Sequence, residues 1–334
     1  MLPSPRYWNT QKVDCNLCGI DDYEILFRQD QHGFGLRTVM CRRCGLIYLN
    51  PRPTAQEYDE LYQRWYHQLY PARAAFNKGK LGGRIAAETA RQRCRAYAQF
   101  LSEPIRLLEI GPGEGAFLSA LQSEFPKSDL RGIDLSPLEV EACRSRGLHV
   151  VHGSIQSLPP TATANTHIVL FHVLEHTLDP LRMLQQAAAR LGPEGYLFVE
   201  VPNILGSWEG LGMLHVAHAY QFAPATLSRV LHAAGLQLVH LESVEAPFFQ
   251  SSIRAVARLG LGILKQIPVP VMPSVEEVRF LFQKKLKNWQ KQLIAGRLKR
   301  FTSACLGPHW TAALWEHTAG REWERSLKQV ETQV

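Results

Sequence analysis

Residues Leu107–Leu118 read L-L-E-I-G-P-G-E-G-A-F-L, a short apolar run, three glycines at alternate positions and the opening of a helical pattern. The run predicts a buried strand, the glycines a tight turn, and the remainder a helix N-terminus. Gly111, Gly113 and Gly115 allow backbone dihedrals that a side chain forbids and let a ligand approach the main chain closely.

A glycine turn after a strand also serves dinucleotides, flavins and simple helix packing, so the flanking sequence decides. Pro112 separates the first two glycines, and neither G-x-G-x-x-G nor G-x-x-x-x-G-K-[ST] occurs. The next apolar run, from Leu130, carries Asp134 where a second strand delivers a carboxylate to ribose hydroxyls. Gly153-Ser154 and Leu158-Pro159 follow, then the strand Ile168–Phe171 and the sequence His172-Val173-Leu174-Glu175-His176. After a helix come Leu191-Gly192-Pro193-Glu194-Gly195 and the strand Tyr196–Val201, closing on Pro202-Asn203.

These blocks, in this order, resemble class I S-adenosylmethionine-dependent methyltransferases over roughly residues 80–257. The resemblance implies that Glu109, Gly111, Gly113 and Gly115 hold the methionine and ribose portions of S-adenosylmethionine and that Asp134 takes the ribose hydroxyls. Ser154 stands where many members carry an aspartate facing the adenine amine, and His172 lines the same strand-end edge.

Alternating strands and helices predict an α/β fold: a Rossmann-like, seven-stranded, mostly parallel sheet with helices on both faces. In such sheets ligands sit at the carboxyl ends of the strands, where the glycine turn, Asp134 and His172 converge. The organisation expected is a zinc ribbon at 13–50, an aromatic helix and linker at 51–83, the catalytic domain at 84–257 and a basic amphipathic helical extension at 258–334.

Seven cysteines include two close pairs, Cys15-x-x-Cys18-Gly19 and Cys41-x-x-Cys44-Gly45. Each pair can form a knuckle presenting two thiolates to one ion, which reads as a structural zinc site rather than a disulfide framework. Four thiolates leave no coordination position for water, so zinc catalysis is not expected there. Thr54-x-x-Glu57 is a capping box that opens a helix through about Trp65. Tyr58, Tyr62, Trp65, Tyr66 and Tyr70 suit it either to pack the ribbon on the core or to reach over the site as a lid. Lys78–Gly83 reads as a flexible basic linker before a long helix, Arg84–Leu101.

The net charge is +7 over 334 residues, and from Arg254 onward 14 Lys or Arg face 6 Asp or Glu. The basic character therefore belongs to the C-terminal part. Arg279–Arg300 holds eight basic residues and no acid, with Phe282, Leu286, Trp289 and Leu293 at helical spacing. Its candidate jobs are packing on the core, contact with an anionic membrane surface, or RNA binding. No run of eighteen apolar residues and no signal-peptide pattern occurs, so the expectation is a cytoplasmic protein, with peripheral contact to the inner face of the membrane through 279–300 as one option.

Methyl transfer from a sulfonium needs alignment and exclusion of water, and a hydroxyl or acidic carbon acceptor also needs a base. Histidine suits that task near neutral pH. His218, in the long loop after Pro202, is the first candidate; His176 with Glu175 is the second. A four-cysteine ribbon joined to this domain is similar to deoxysugar C-methyltransferases, in which a Glu-His pair occupies that loop. Here Ala217 replaces the acid, and the expectation is that their large extra C-terminal domain is missing. The function expected is methyl transfer to oxygen or carbon of a small or carrier-linked metabolite, such as a sugar or glycan intermediate. RNA methylation, favoured by ribbon and tail but opposed by the missing N/D-P-P-Y sequence, and a non-catalytic binding module are the alternatives.

Overall fold

The computed structural model describes residues 8–28, 30, 34–62, 69, 80–159, 164–206, 213–245 and 251–260, with isolated positions among 274–284. The expected basic helix 279–300 lies, apart from those positions, outside the described residues, as do Trp65, Tyr66 and Tyr70. In chain order the elements are β1 (Thr10–Gln11), β2 (Tyr23–Phe27), β3 (Thr38–Cys41), β4 (Ile47–Leu49), β5 (Arg52–Pro53), α1 (Ala55–Glu60), α2 (Lys80–Tyr97), β6 (Arg106–Ile110), α3 (Ala116–Glu124), β7 (Asp129–Asp134), α4 (Pro137–Ser145), β8 (His149–His152), β9 (Asn165–Phe171), α5 (Pro180–Ala188), β10 (Leu191–Pro202), β11 (Tyr220–Gln221), α6 (Pro224–Ala233), β12 (Leu236–Val244) and β13 (Ser252–Leu259).

Seven of these strands form one sheet in the order β12-β13-β10-β9-β6-β7-β8. The five from β10 to β8 are parallel, and β13 pairs antiparallel with both β10 and β12. Strand residues alternate between two cores, as the period of two requires. Leu107, Val169, Phe198 and Val256 pack on one face against Tyr97, Phe117, Leu121 and Val140 of α2, α3 and α4. Leu108, Ile168, Leu170, Val199 and Ala255 pack on the other against Leu184, Leu227 and Leu231 of α5 and α6. Both faces are therefore covered, as near-continuous apolar strands demand.

Local chemistry sets the helix starts. Ser136 and Asp179 each precede a proline and accept from the amide three residues on, Glu139 N at 3.4 Å and Arg182 N at 2.9 Å. The proline loses no hydrogen bond at the first helical position. Thr54 does the same for Glu57 at 3.4 Å. Two expected boundaries need correction. Lys80–Gly83 is the first turn of α2 rather than linker. Strand β10 opens at Leu191, which pairs with Asn165 of β9, rather than at Tyr196. Strand β13 opens at Ser252, opposite Pro202 and Val244.

A second sheet of four strands runs β11-β4-β3-β2. Its β2, β3 and β4 come from the cysteine region, whereas β11 comes from the long segment between β10 and α6. Tyr220 pairs with Tyr48 and Gln221 with Ile47, and Leu49 N donates to Ala219 O at 3.0 Å. The N-terminal unit is thus built into the edge of the α/β domain through main-chain hydrogen bonds. Further ties are Asn16 to Asp179 at 2.8 Å, Arg52 to the Leu178 carbonyl at 2.6 Å and to the Tyr220 hydroxyl at 2.8 Å.

Candidate active site

The glycine turn lies at the carboxyl end of β6. Gly111, Gly113 and Gly115 all have positive φ, at 67°, 55° and 74°. A side chain at Gly111 would strike Val173 Cγ2, and one at Gly115 would strike Leu148, whereas above Gly113 there is open space. That space, clear of the described residues to 4 Å from where a Cβ would stand, is floored by main chain.

Two carboxylates flank it. Glu109, at the end of β6, is 3% exposed, and its Oε2 has no hydrogen-bond partner among the described residues. Burial, with Asp134 adding to it and Arg93 opposing, pushes its pKa up to about 8. Asp134, at the end of β7, accepts from Gly113 N at 3.2 Å and from Ser136 N at 2.8 Å. The turn and the carboxylate therefore fix one another. Ser154 follows β8; its amide donates to Ser157 Oγ at 3.1 Å, which donates back to its carbonyl at 2.7 Å.

The stretch His172–His176 after β9 is pressed against the glycine turn through Val173. His172 takes φ of 56°, a left-handed conformation for a residue with a Cβ, costing about 1–2 kcal/mol. Its ring bridges two buried acids, with Nδ1 3.4 Å from Glu175 Oε1 and Nε2 3.2 Å from Glu200 Oε1. Burial alone would depress its pKa, and the two carboxylates overcome this and raise it. Glu200 also receives Arg93 at 2.8 and 3.2 Å and Arg254 at 3.0 Å. Against the desolvation that would raise it, Arg93 and His172 hold the Glu200 pKa well below the usual carboxylate range.

Glu175, His176 and His218 meet beside this network, each offering one ligand-type atom with all three within 4.8 Å of one another. Glu175 is 1% exposed, and among the described residues neither of its carboxylate oxygens has a hydrogen-bond partner, His172 Nδ1 at 3.4 Å being its nearest ion-pair contact. His176 Nδ1 lies 2.8 Å from the Ala217 carbonyl and 2.9 Å from the Tyr62 hydroxyl. His218 Nδ1 lies 3.0 Å from the Met213 carbonyl, and its ring centroid is 4.7 Å from that of His176 and 3.8 Å from that of His215. The segment bearing His218 is held from the N-terminal side by Tyr58, whose hydroxyl donates to the Val216 carbonyl at 2.8 Å.

Cys15, Cys18, Cys41 and Cys44 form a second cluster, their sulfurs within 4.8 Å of one another, with Cys15–Cys44 at 3.3 Å and Cys18–Cys41 at 3.5 Å. A tetrahedral ion with metal–sulfur bonds of about 2.3 Å needs edges of about 3.8 Å, which this cluster accommodates. Gly19 and Gly45, at φ of 68° and 72°, close the two knuckles by donating to the Cys15 and Cys41 carbonyls at 2.8 and 2.9 Å. Side-chain contact with Cys44 draws the Cys15 thiol down to about 5.

The structure thus brings Glu109, the glycines, Asp134 and His172 to one edge, and groups His218 with Glu175 and His176. Arg93, Glu200 and Arg254 escaped the sequence reading, although a lone Glu in F-V-E-V and a lone Arg in S-I-R-A-V are charges inside apolar strands. Tyr62 was noted only as a member of the aromatic stretch, and His215 was not singled out.

A doubly wound sheet whose strand ends open onto a glycine turn and two carboxylates defines a Rossmann-like fold. Residues 84–241 match the family model described as a methyltransferase domain. Methyltransferase str3 of Strobilurus tenacellus is 26% identical over 166 residues, 44% of this chain and 58% of that protein, so the match spans little more than half of the relative. Among solved structures, a SAM-dependent methyltransferase from Methanosarcina mazei is 14% identical with a TM-score of 0.43, covering 49% of this chain and 97% of that one. The plantazolicin methyltransferase BpumL in complex with SAH is 12% identical with a TM-score of 0.47, covering 60% and 94%.

Proposed function

We propose that this protein transfers a methyl group from S-adenosylmethionine to oxygen or carbon of a small or carrier-linked metabolite, with sugar or glycan intermediates the acceptor class that the sequence resemblance favours. The observation that carries the cofactor assignment is Glu109, a strand-end carboxyl buried beside the open space over Gly113 with one oxygen unpartnered. A cationic group on a ligand would satisfy that oxygen and remove the cost of leaving it buried alone.

In this reading Glu109 and the glycine turn hold the methionine and ribose portions, Asp134 the ribose hydroxyls, and Ser154 borders the adenine. The bound sulfonium supplies an already activated methyl. The chain's own work is to align the acceptor, exclude water and receive its proton. His218 and His176 are placed for this, each with Nδ1 against a backbone carbonyl, which puts the lone pair of a neutral ring on Nε2. The four cysteines would hold a structural zinc ion, fixing the sheet that anchors the His218 segment.

Calorimetric titration of the zinc-replete protein with S-adenosylmethionine, and separately with S-adenosylhomocysteine, tests the reading. Micromolar binding of both is expected and would lead to a screen of nucleotide-sugar and lipid-linked acceptors. Absence of binding by either would overturn the cofactor assignment.

A further inference from the structure

The buried carboxylate Glu175 faces the imidazoles of His176 and His218 from within the same 4.8 Å cluster, and we propose that these three side chains bind a divalent transition-metal cation distinct from the ion of the four cysteines. This assignment rests on the acceptor site proposed above and changes how that site handles the proton: with both Nε2 lone pairs on the cation the rings accept none, and the cation would instead bind a hydroxyl oxygen of the acceptor and lower its pKa so that the proton leaves to solvent, favouring transfer to oxygen over carbon.

Three observations carry it. Glu175 is 1% exposed, and among the described residues its carboxylate has only the His172 and His176 rings as ion-pair contacts, at 3.4 and 3.9 Å from Oε1, with no hydrogen bond to Oε2, an expensive arrangement for a carboxylate. The second observation is the orientation of the histidines. The carbonyls of Ala217 and Met213 lie 2.8 and 3.0 Å from their Nδ1 atoms, the outer hydrogen bond that fixes a ligating imidazole with its lone pair on Nε2. His176 Nε2 lies 3.9 Å from Glu175 Oε1, wider than the edge of about 3.4 Å for two such atoms on one tetrahedral ion, so a bound cation would draw the two side chains together. The third is the donor set itself. Two imidazoles and one carboxylate suit zinc, iron(II) and manganese(II), and three protein ligands leave positions for water and an acceptor oxygen.

The cluster also joins two remote parts of the chain. Glu175 and His176 follow β9, while His218 sits on the segment that β11 ties to the cysteine unit. A cation there would fasten the acceptor side of the site to the cofactor side.

Manganese distinguishes this site from the thiolate cluster, because Mn²⁺ prefers oxygen and nitrogen donors and lies below zinc in affinity for any common site. Protein carrying a single equivalent of zinc, which the four thiolates take, would be titrated with Mn²⁺ and followed by calorimetry and electron paramagnetic resonance. One equivalent should bind, and Glu175→Gln and His218→Ala should each weaken it at least tenfold, while the exposed His232→Ala leaves it unchanged. Zinc content and S-adenosylhomocysteine binding report whether each variant is folded, and Glu175→Gln, close in shape to the original, serves if His218→Ala is not. Failure of the wild-type protein to take up Mn²⁺, or uptake indifferent to every folded variant at these two positions, would overturn the proposal. Because Mn²⁺ binding is read without cofactor or turnover, loss of this site and loss of the methyl-donor assignment give different results.

Discussion

Glu109 is costly to leave ionised beneath the glycine turn, and that cost is measurable. Its folded-state pKa of about 8 lies above the ordinary 4.5, so the folded protein binds the extra proton between these values. Stability of the ligand-free protein should fall as pH rises through that window, by roughly 3–5 kcal/mol at about 1.4 kcal/mol per unit. Glu109→Gln should flatten this slope in denaturant titrations between pH 5 and 8. Asp134→Ala should weaken S-adenosylmethionine binding by about 10–100-fold, as expected from losing hydrogen bonds to an ionised group of about 1.5–3 kcal/mol, read by calorimetry. At this scale the sequence was most legible where a residue's chemistry is local. Gly111, Gly113 and Gly115 announce positive φ by type, and Asp134 by its place at a strand end. The bridging of Glu175 and Glu200 by His172 was not legible, because it depends on a left-handed backbone that an isolated histidine does not advertise.

Among elements, the pairing of β10 with β13 does more than complete the sheet. Their register sets Glu200 opposite Arg254, and α2 brings Arg93 to the same carboxylate. A cross-strand ion pair inside apolar strands is costly to break from one side, since the remaining charge stays buried. Glu200→Gln should therefore destabilise the fold by about 3–5 kcal/mol, visible as a lowered midpoint of thermal unfolding. The strands and helices themselves followed from apolar runs and from proline and glycine punctuation. Their ends shifted where pairing overruled local signals, as at Leu191, which joins β10 by facing Asn165. The Glu200–Arg254 contact could not be read because it needs the antiparallel register, and register is a property of two distant segments.

For the molecule as a whole, the four-stranded sheet couples the cysteine cluster to the segment carrying His218. Removing the proposed zinc with a strong chelator should expose 8–53 and 213–222 together to limited proteolysis. S-adenosylhomocysteine binding should persist, because Glu109, the glycines and Asp134 stand on other strands. Coincident loss of both would show that the two sheets unfold as one. The cysteine spacing made the knuckles legible, but not the fourth strand, since Tyr220-Gln221 is only two residues long and carries no strand pattern of its own. That late strand bears on how the protein is made. The edge of β4 emerges from the ribosome about 170 residues before Ala219 and Tyr220 arrive, and at roughly 5–20 residues per second this is about 10–35 s of synthesis. Throughout that interval the nascent chain presents an unpaired strand edge, the kind of surface on which neighbouring chains can dock.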